Sequence, residues 1–251
     1  MKVSLFITCL SDALFPPVGE AMTRLLARYG VKLDLPNTQT CCGQPAYNSG
    51  YWEEARRTAA TLLDAFEDSD FVVSPSGSCT YMIHHYPELF KDDPVKLAKA
   101  NALVEKTYEF TQFMVQVLGV TDLEAYFPHT VAYHPSCHGS RLLGAKDEPK
   151  ALLEQVEGMS LVPIPFAEDC CGFGGTFAVK MADISGAMVT EKVDHIKESE
   201  AEVLVGLDMA CLMNIGGNLL HRGEKVRVMH LAELLYEGVT NRERKRNSIG
   251  G

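Results

Sequence analysis

The chain has 251 residues, enough for one large or two modest domains with real cores, and 46% of it is hydrophobic, which excludes a disordered polymer. A formal net charge of −10 excludes the broad basic surface with which a nucleic-acid binder meets phosphate. No stretch reaches the roughly 20 apolar residues of a membrane span, so a cytoplasmic location is expected.

The opening "VSLFITC" is a short β-type run ending at Cys9. Ser11, Asp12 and two prolines follow it with no small-residue cleavage site, so it reads as a buried strand rather than a signal. In "PPVGEAMTRLLARYG", Val18, Ala21, Met22, Leu25 and Leu26 fall on one face, prolines open the segment and Gly30 can close it, which predicts a helix. "VKLDLP" is the next strand, and "TQTCCGQPAYNSG" then places Cys41 and Cys42 side by side before Gly43. "YWEEARRTAATLLDAFEDSD" puts Trp52, Ala55, Ala59, Leu62 and Phe66 on a second helical face, after which the strand "FVVSPSGSC" leads to Cys79. "DPVKLAKANALVEKTYEFTQFMVQVLGV" is expected to be one long helix and part of a second, ending near Gly119.

The order then repeats: a strand over 130–136 reaching Cys137, a helix near 149–157, the strand "LVPIPF", and "EDCCGFGGTFAVK" with Cys170, Cys171 and Gly172. A helix over 179–197, the strand "EVLVGLD", a helix over 209–220 carrying Cys211, the strand "VRVMHL" and a short helix complete it. Strands alternating with helices predict parallel pairing through crossovers, hence two pseudo-symmetric α/β doubly wound units. The expected divisions are 1–125, 126–240 and a flexible basic tail over 241–251, "NRERKRNSIGG".

The cysteines carry the duplication most clearly. Cys9, Cys41, Cys42 and Cys79 are separated by 31 and then 36 residues, and Cys137, Cys170, Cys171 and Cys211 by 32 and then 39. Each lies at or just past the carboxyl end of a strand, where open α/β sheets bind ligands, so three segments per half converge and supply four thiols. Disulfides are disfavoured, because vicinal cysteines close only a strained ring and the compartment is reducing. Inert burial would not repeat one spacing twice. Four thiolates suit tetrahedral zinc, although the usual Cys-x-x-Cys knuckles are absent. Vicinal cysteines pointing in divergent directions suit the several atoms of an iron–sulfur cluster better.

On these residues the chain resembles the cysteine-rich CCG domain found twice in the B subunit of heterodisulfide reductase and in the iron–sulfur subunit of glycolate oxidase. "PSGSC" at 75–79, "YHPSCHGSR" at 133–141 and "CCGFGGTF" at 170–177 are most similar to stand-alone members of the lactate-utilisation protein A type. The resemblance implies [4Fe-4S]-type clusters on all eight cysteines and no flavin or NAD site in this chain. It also implies two partner subunits and NAD-independent oxidation of a small hydroxy acid, L-lactate, to pyruvate. One departure stands out: the five-cysteine pattern of heterodisulfide reductase ends in Cys-x-x-Cys, whereas here Ser76 and Met82 flank Cys79, and Asp208 and Asn214 flank Cys211. A four-cysteine cluster, an oxygen ligand from Ser76 or Asp208, or an iron left open to substrate are the alternatives. Thiol–disulfide reduction and a zinc-stabilised binding module are the competing functions.

His134, His138 and Arg141 around Cys137 are the candidate catalytic residues, able to relay a proton or hold a carboxylate. His84, His85 and His221 read as ordinary surface or core groups. "CCGFGG" is not a nucleotide fingerprint, because Phe177 stands where the last glycine would be.

Overall fold

The computed structural model describes residues 1–249. The chain divides into two compact units, Met1–Phe110 and a second from Thr111 onward. In unit 1 the order is β1 (Lys2–Leu5), α1 (Cys9–Leu14), α2 (Pro16–Ala27), β2 (Lys32–Asp34), α3 (Gln44–Asn48), α4 (Trp52–Ala65), β3 (Phe71–Ser74), α5 (Gly77–His84), α6 (Tyr86–Leu89), α7 (Pro94–Glu105) and β4 (Thr107–Glu109). After the short α8 (Phe110–Gln112) and a wide π-type turn over Phe113–Val117, unit 2 continues with β5 (Thr130–His134), α9 (Asp147–Glu154) and β6 (Ser160–Val162). It closes with α10 (Phe177–Lys180), α11 (Ala182–Glu198), β7 (Val203–Gly206), α12 (Met209–His221), β8 (Arg227–His230) and α13 (Leu231–Ile249).

Each unit holds one four-stranded, wholly parallel sheet, ordered β2-β1-β3-β4 and β6-β5-β7-β8. The duplication extends to register. Val3 pairs with Leu33 and Phe71, and Val131, 128 positions on, pairs with Leu161 and Val203. In both sheets the chain leaves the first strand to one side and returns on the other, so the crevice between β1 and β3, or β5 and β7, is a topological switch point.

Packing follows from the patterning. Val18, Ala21, Met22, Leu25 and Leu26 of α2 are all buried, as their spacing predicts, and Gly30 takes a φ of 68° just beyond the helix. On α4, Ala55, Ala59 and Leu62 join Phe66 against Phe6, Val72, Ile83 and Tyr86, with the Phe6 and Phe66 rings edge-on at 5.7 Å. Each Val, Leu, Ile, Phe or Met side chain so removed from water contributes about 1.5–3 kcal/mol.

Several expectations differ from the structure: Trp52, expected on the packed face of α4, is exposed. The segment read as one long helix and part of a second stops its helix at Glu105 and then forms β4, with Thr107, Tyr108 and Glu109 paired to Val72, Val73 and Ser74. A three-residue strand is too short to show a period, and its pairing partner decides it. Because β4 completes the first sheet, the units part at Phe110 rather than near 125; residues 125–127 belong with unit 2, where Tyr126 N donates to Gly238 O at 2.8 Å. The tail expected to be flexible continues α13 through Ile249. Arg242 bonds the Glu157 carboxylate, Arg246 reaches Glu124 at 3.2 Å, and the Lys245 ammonium sits 4.1 Å from the centre of the Tyr126 ring. Gly250 and Gly251 lie outside the described residues.

Candidate metal centres

In unit 1 three strand ends deliver the four thiols. Cys9 opens α1 beyond β1, Cys79 sits in the first turn of α5 beyond β3, and Cys41 and Cys42 end the loop that follows β2. Gln39 pins that loop, its amide donating to Leu5 O at 3.2 Å and to Pro36 O at 3.0 Å. The sulfurs of Cys9 and Cys41 are 4.0 Å apart, and those of Cys42 and Cys79 3.5 Å. All eight cysteines are free thiols.

Unit 2 repeats the arrangement with Cys137, Cys170, Cys171 and Cys211, whose thiols interact in that sequence. The glycine of each Cys-Cys-Gly has a positional reason. Gly43 and Gly172 take φ of 85° and 79°, which aims their N–H groups at the sulfurs of Cys41 and Cys170, both at 3.5 Å. A side chain there would also strike the helix behind: a Cβ on Gly172 would meet Ser185 O at 2.7 Å, and one on Gly43 would meet Ala55 O at 3.3 Å. The carbonyl of the second cysteine is held in both units by different means, Tyr86 Oη donating to Cys42 O at 2.8 Å and Asn214 Nδ2 to Cys171 O at 2.8 Å.

Each set of four carries one thiol poised to ionise. Cys41 is lowered to about 2, first by the hydrogen bond from the Cys42 thiol and then by that from Cys9, with the Gly43 N–H adding to both. Cys170 is lowered to about 2 by Cys137, then Cys171, then Gly172 N–H. The donors, Cys9, Cys42, Cys137 and Cys171, are pushed up and keep their protons. A thiolate ringed by thiols, with sulfurs from three chain segments in reach, fits a thiolate-bound metal centre such as an iron–sulfur cluster or zinc.

The oxygen alternatives fare differently. Ser76 Oγ accepts from Cys79 N at 3.1 Å and Asp208 Oδ1 from Ala210 N at 3.1 Å, so both cap the helices that carry the last cysteine of each set.

The three candidate catalytic residues separate. His138 is half-buried, with Nδ1 3.4 Å from Cys137 Sγ. Arg141 is exposed and turned onto the loop before Cys170, bonding Glu168 O and lying 3.7 Å from the Glu168 carboxylate. His134, at 1% exposure, is sealed in the core, and burial, with the Lys192 charge second, lowers it to about 3, so it is a neutral imidazole. A ring nitrogen of His134 and the sulfurs of Cys171 and Cys211 lie within 4.8 Å of one another.

Lys192 escaped the sequence reading. It is fully buried, donates to Phe166 O at 3.3 Å and Ala167 O at 2.6 Å, and so holds the loop before Cys170. Burial lowers its basicity, opposed by Asp169 and the thiols of Cys171, Cys211 and Cys170. Its signal was available: it falls on the same face of α11 as Ser185, Val189, Val193 and Ile196. At the carboxyl ends of β5 and β6, Tyr133, Pro135, Lys146, Lys150, Ile164 and Glu168 line a cavity of about 470 Å³. The matching groove of unit 1, beside Leu5, Asp12 and Leu35, is about 280 Å³. No helix among the described residues is long and apolar enough to cross a membrane.

The cysteine-rich domain model, CCG, matches residues 3–84 and again 131–216. "Lactate utilization protein A 2" of Bacillus cereus is 53% identical over 240 residues, covering 95% of this chain and 99% of that protein. "Lactate utilization protein A" of Geobacillus kaustophilus is 55% identical over 235 residues, covering 94% of this chain and 98% of that protein. Among solved structures, an aspartate racemase homologue from Pyrococcus horikoshii aligns with 96% of this chain and 97% of its own at 13% identity, with a TM-score of 0.34, a likeness too slight to carry an argument.

Proposed function

The chain belongs to the cysteine-rich CCG-domain family through both of its units and to the lactate utilization protein A group within it, and from that premise we propose that it is an iron–sulfur redox subunit of a cytoplasmic multi-protein system that oxidises L-lactate to pyruvate without NAD. The observation that carries this reading is the convergence, in each unit, of four free thiols from three strand ends on one spot.

A [4Fe-4S]-type cluster held by these thiolates would take up and release single electrons. The protein's part is to hold it. Cys41 and Cys170 offer the first thiolates, and the Gly43 and Gly172 N–H groups keep a hydrogen bond on those sulfurs. Cys42, Cys171 and Cys211 are buried and shield their side of the site from water. Conversion of lactate to pyruvate releases two electrons and two protons. In this reading one of two partner subunits removes them, with no flavin or nicotinamide bound to this chain, and the electrons pass on through it one at a time.

The cavity beside Glu168 supports a second reading, in which the unit 2 centre meets a small substrate directly, as a thiol–disulfide reductase would. Anaerobic purification with iron, acid-labile sulfide and visible-absorbance measurements tests the first reading. Iron and sulfide with the broad visible bands of a cluster are expected, and a colourless protein loaded with zinc would replace it with a zinc-stabilised binding module. Reduction of a small disulfide by the isolated chain would favour the second.

A further inference from the structure

We propose that His134 is a fifth ligand of the unit 2 centre, which is then held by Cys137, Cys170, Cys171, Cys211 and one imidazole nitrogen, while the unit 1 centre is held by cysteines alone. The inference rests on the reading of the thiol sets as metal centres.

His134 is 1% exposed, and neither Nδ1 nor Nε2 has a hydrogen-bond partner in the protein. A buried polar group left unpaired costs about 1–3 kcal/mol, so an imidazole with both nitrogens orphaned points to a ligand that the protein itself does not supply. The direction is given by its neighbours: a ring nitrogen and the sulfurs of Cys171 and Cys211 all lie within 4.8 Å of one another, as donors around a shared metal do.

The duplicated unit provides the control. Cys9 and Cys137 correspond, the strands before them share a register, and three residues ahead of each stand Phe6 and His134. Phe6 is fully buried and packs edge-on against Phe66. The fold therefore accepts an apolar ring at this position, and packing alone does not call for an imidazole there. Neither half has a fifth cysteine, and the two oxygen candidates, Ser76 and Asp208, cap helices. His134 gives unit 2, and only unit 2, a fifth donor. A neutral imidazole adds no negative charge where a fifth thiolate would, and it gives one centre a nitrogen donor that the other lacks, so the two centres differ in kind.

The test uses the whole chain, reconstituted anaerobically with ferrous iron and sulfide, in natural-abundance and 15N-histidine-labelled forms. In the reduced wild type, pulsed EPR should detect a strongly coupled nitrogen at one centre, and its couplings should change with the label. In His134→Phe, which installs the unit 1 residue, that coupling should vanish and the midpoint potential of one centre alone should change. His134→Cys keeps a metal-binding side chain at the position; it should lose the nitrogen coupling while retaining iron. Absence of a coupled nitrogen in the wild type, or its survival in either variant, overturns the proposal without touching the iron–sulfur reading. If the protein proves to carry zinc, X-ray absorption at the zinc edge decides: a nitrogen at one of the two zinc ions that is lost in His134→Phe upholds His134 as a ligand while the iron–sulfur reading fails, and an all-sulfur shell in the wild type or a nitrogen that survives in the variant overturns it. A chain that takes up neither metal overturns both.

Discussion

A methyl group on Gly172 would sit 2.7 Å from the backbone oxygen of Ser185 and would also force a left-handed φ on an L-residue. The left-handed conformation alone costs roughly 1–2 kcal/mol. Gly172→Ala is therefore expected to lower stability by more than that in urea denaturation and to deplete metal from unit 2. Gly43→Ala, whose Cβ would meet Ala55 O at 3.3 Å, should lose less. Arg141 tests a different point. Its pair with Glu168 is exposed on both sides, and such pairs are worth about 0–1 kcal/mol. Arg141→Lys should leave urea stability and iron content unchanged; a fall in lactate turnover by the reconstituted system would then report a substrate role, and wild-type turnover would leave Arg141 a surface residue. The eight cysteines were legible in the sequence because their spacing repeats. The surroundings of His134 were not, because its burial depends on how β5 packs rather than on its neighbours along the chain.

At the scale of elements, the junction of β8 and α13 carries a pH dependence. Glu233 accepts a hydrogen bond from His230 N at 2.8 Å, and burial raises its carboxyl, with Glu237 adding to the rise and Arg227 opposing it. A raised carboxyl binds its proton more tightly folded than unfolded, so its contribution is full below the unfolded carboxylate range and is lost as pH climbs through the folded value. Glu233→Gln keeps an acceptor without a charge. Thermal unfolding of the variant should gain on the wild type as pH rises from about 4 toward neutrality, and a constant difference across that range would refute the assignment. The longer elements were readable from the sequence because apolar periodicity marks them, as on α2 and α4. β4 was not, since its three residues join the sheet by pairing with β3, and the last helix looked short because its polar turns are held by Glu124, Glu157 and Tyr126, far away in sequence.

At the scale of the molecule, the two units have separate sheets and separate sets of four cysteines. Cys79→Ser should therefore remove iron from one centre and leave the EPR signal of the other intact, whereas loss of both would mean that they assemble together. The duplication was visible in the order of elements and in the cysteine intervals. The divergence between copies was not, because it lies in single positions such as Phe6 and His134, or Leu62 and Lys192, each of the latter seven residues beyond the helix residue whose backbone oxygen faces the vicinal glycine. That last difference has an electrical consequence. With clusters in place, an electron added in unit 2 would lie near the Lys192 amine, whereas the matching position of unit 1 is an uncharged leucine. Lys192→Met should remove that amine's field, seen as a lower midpoint potential at one centre only.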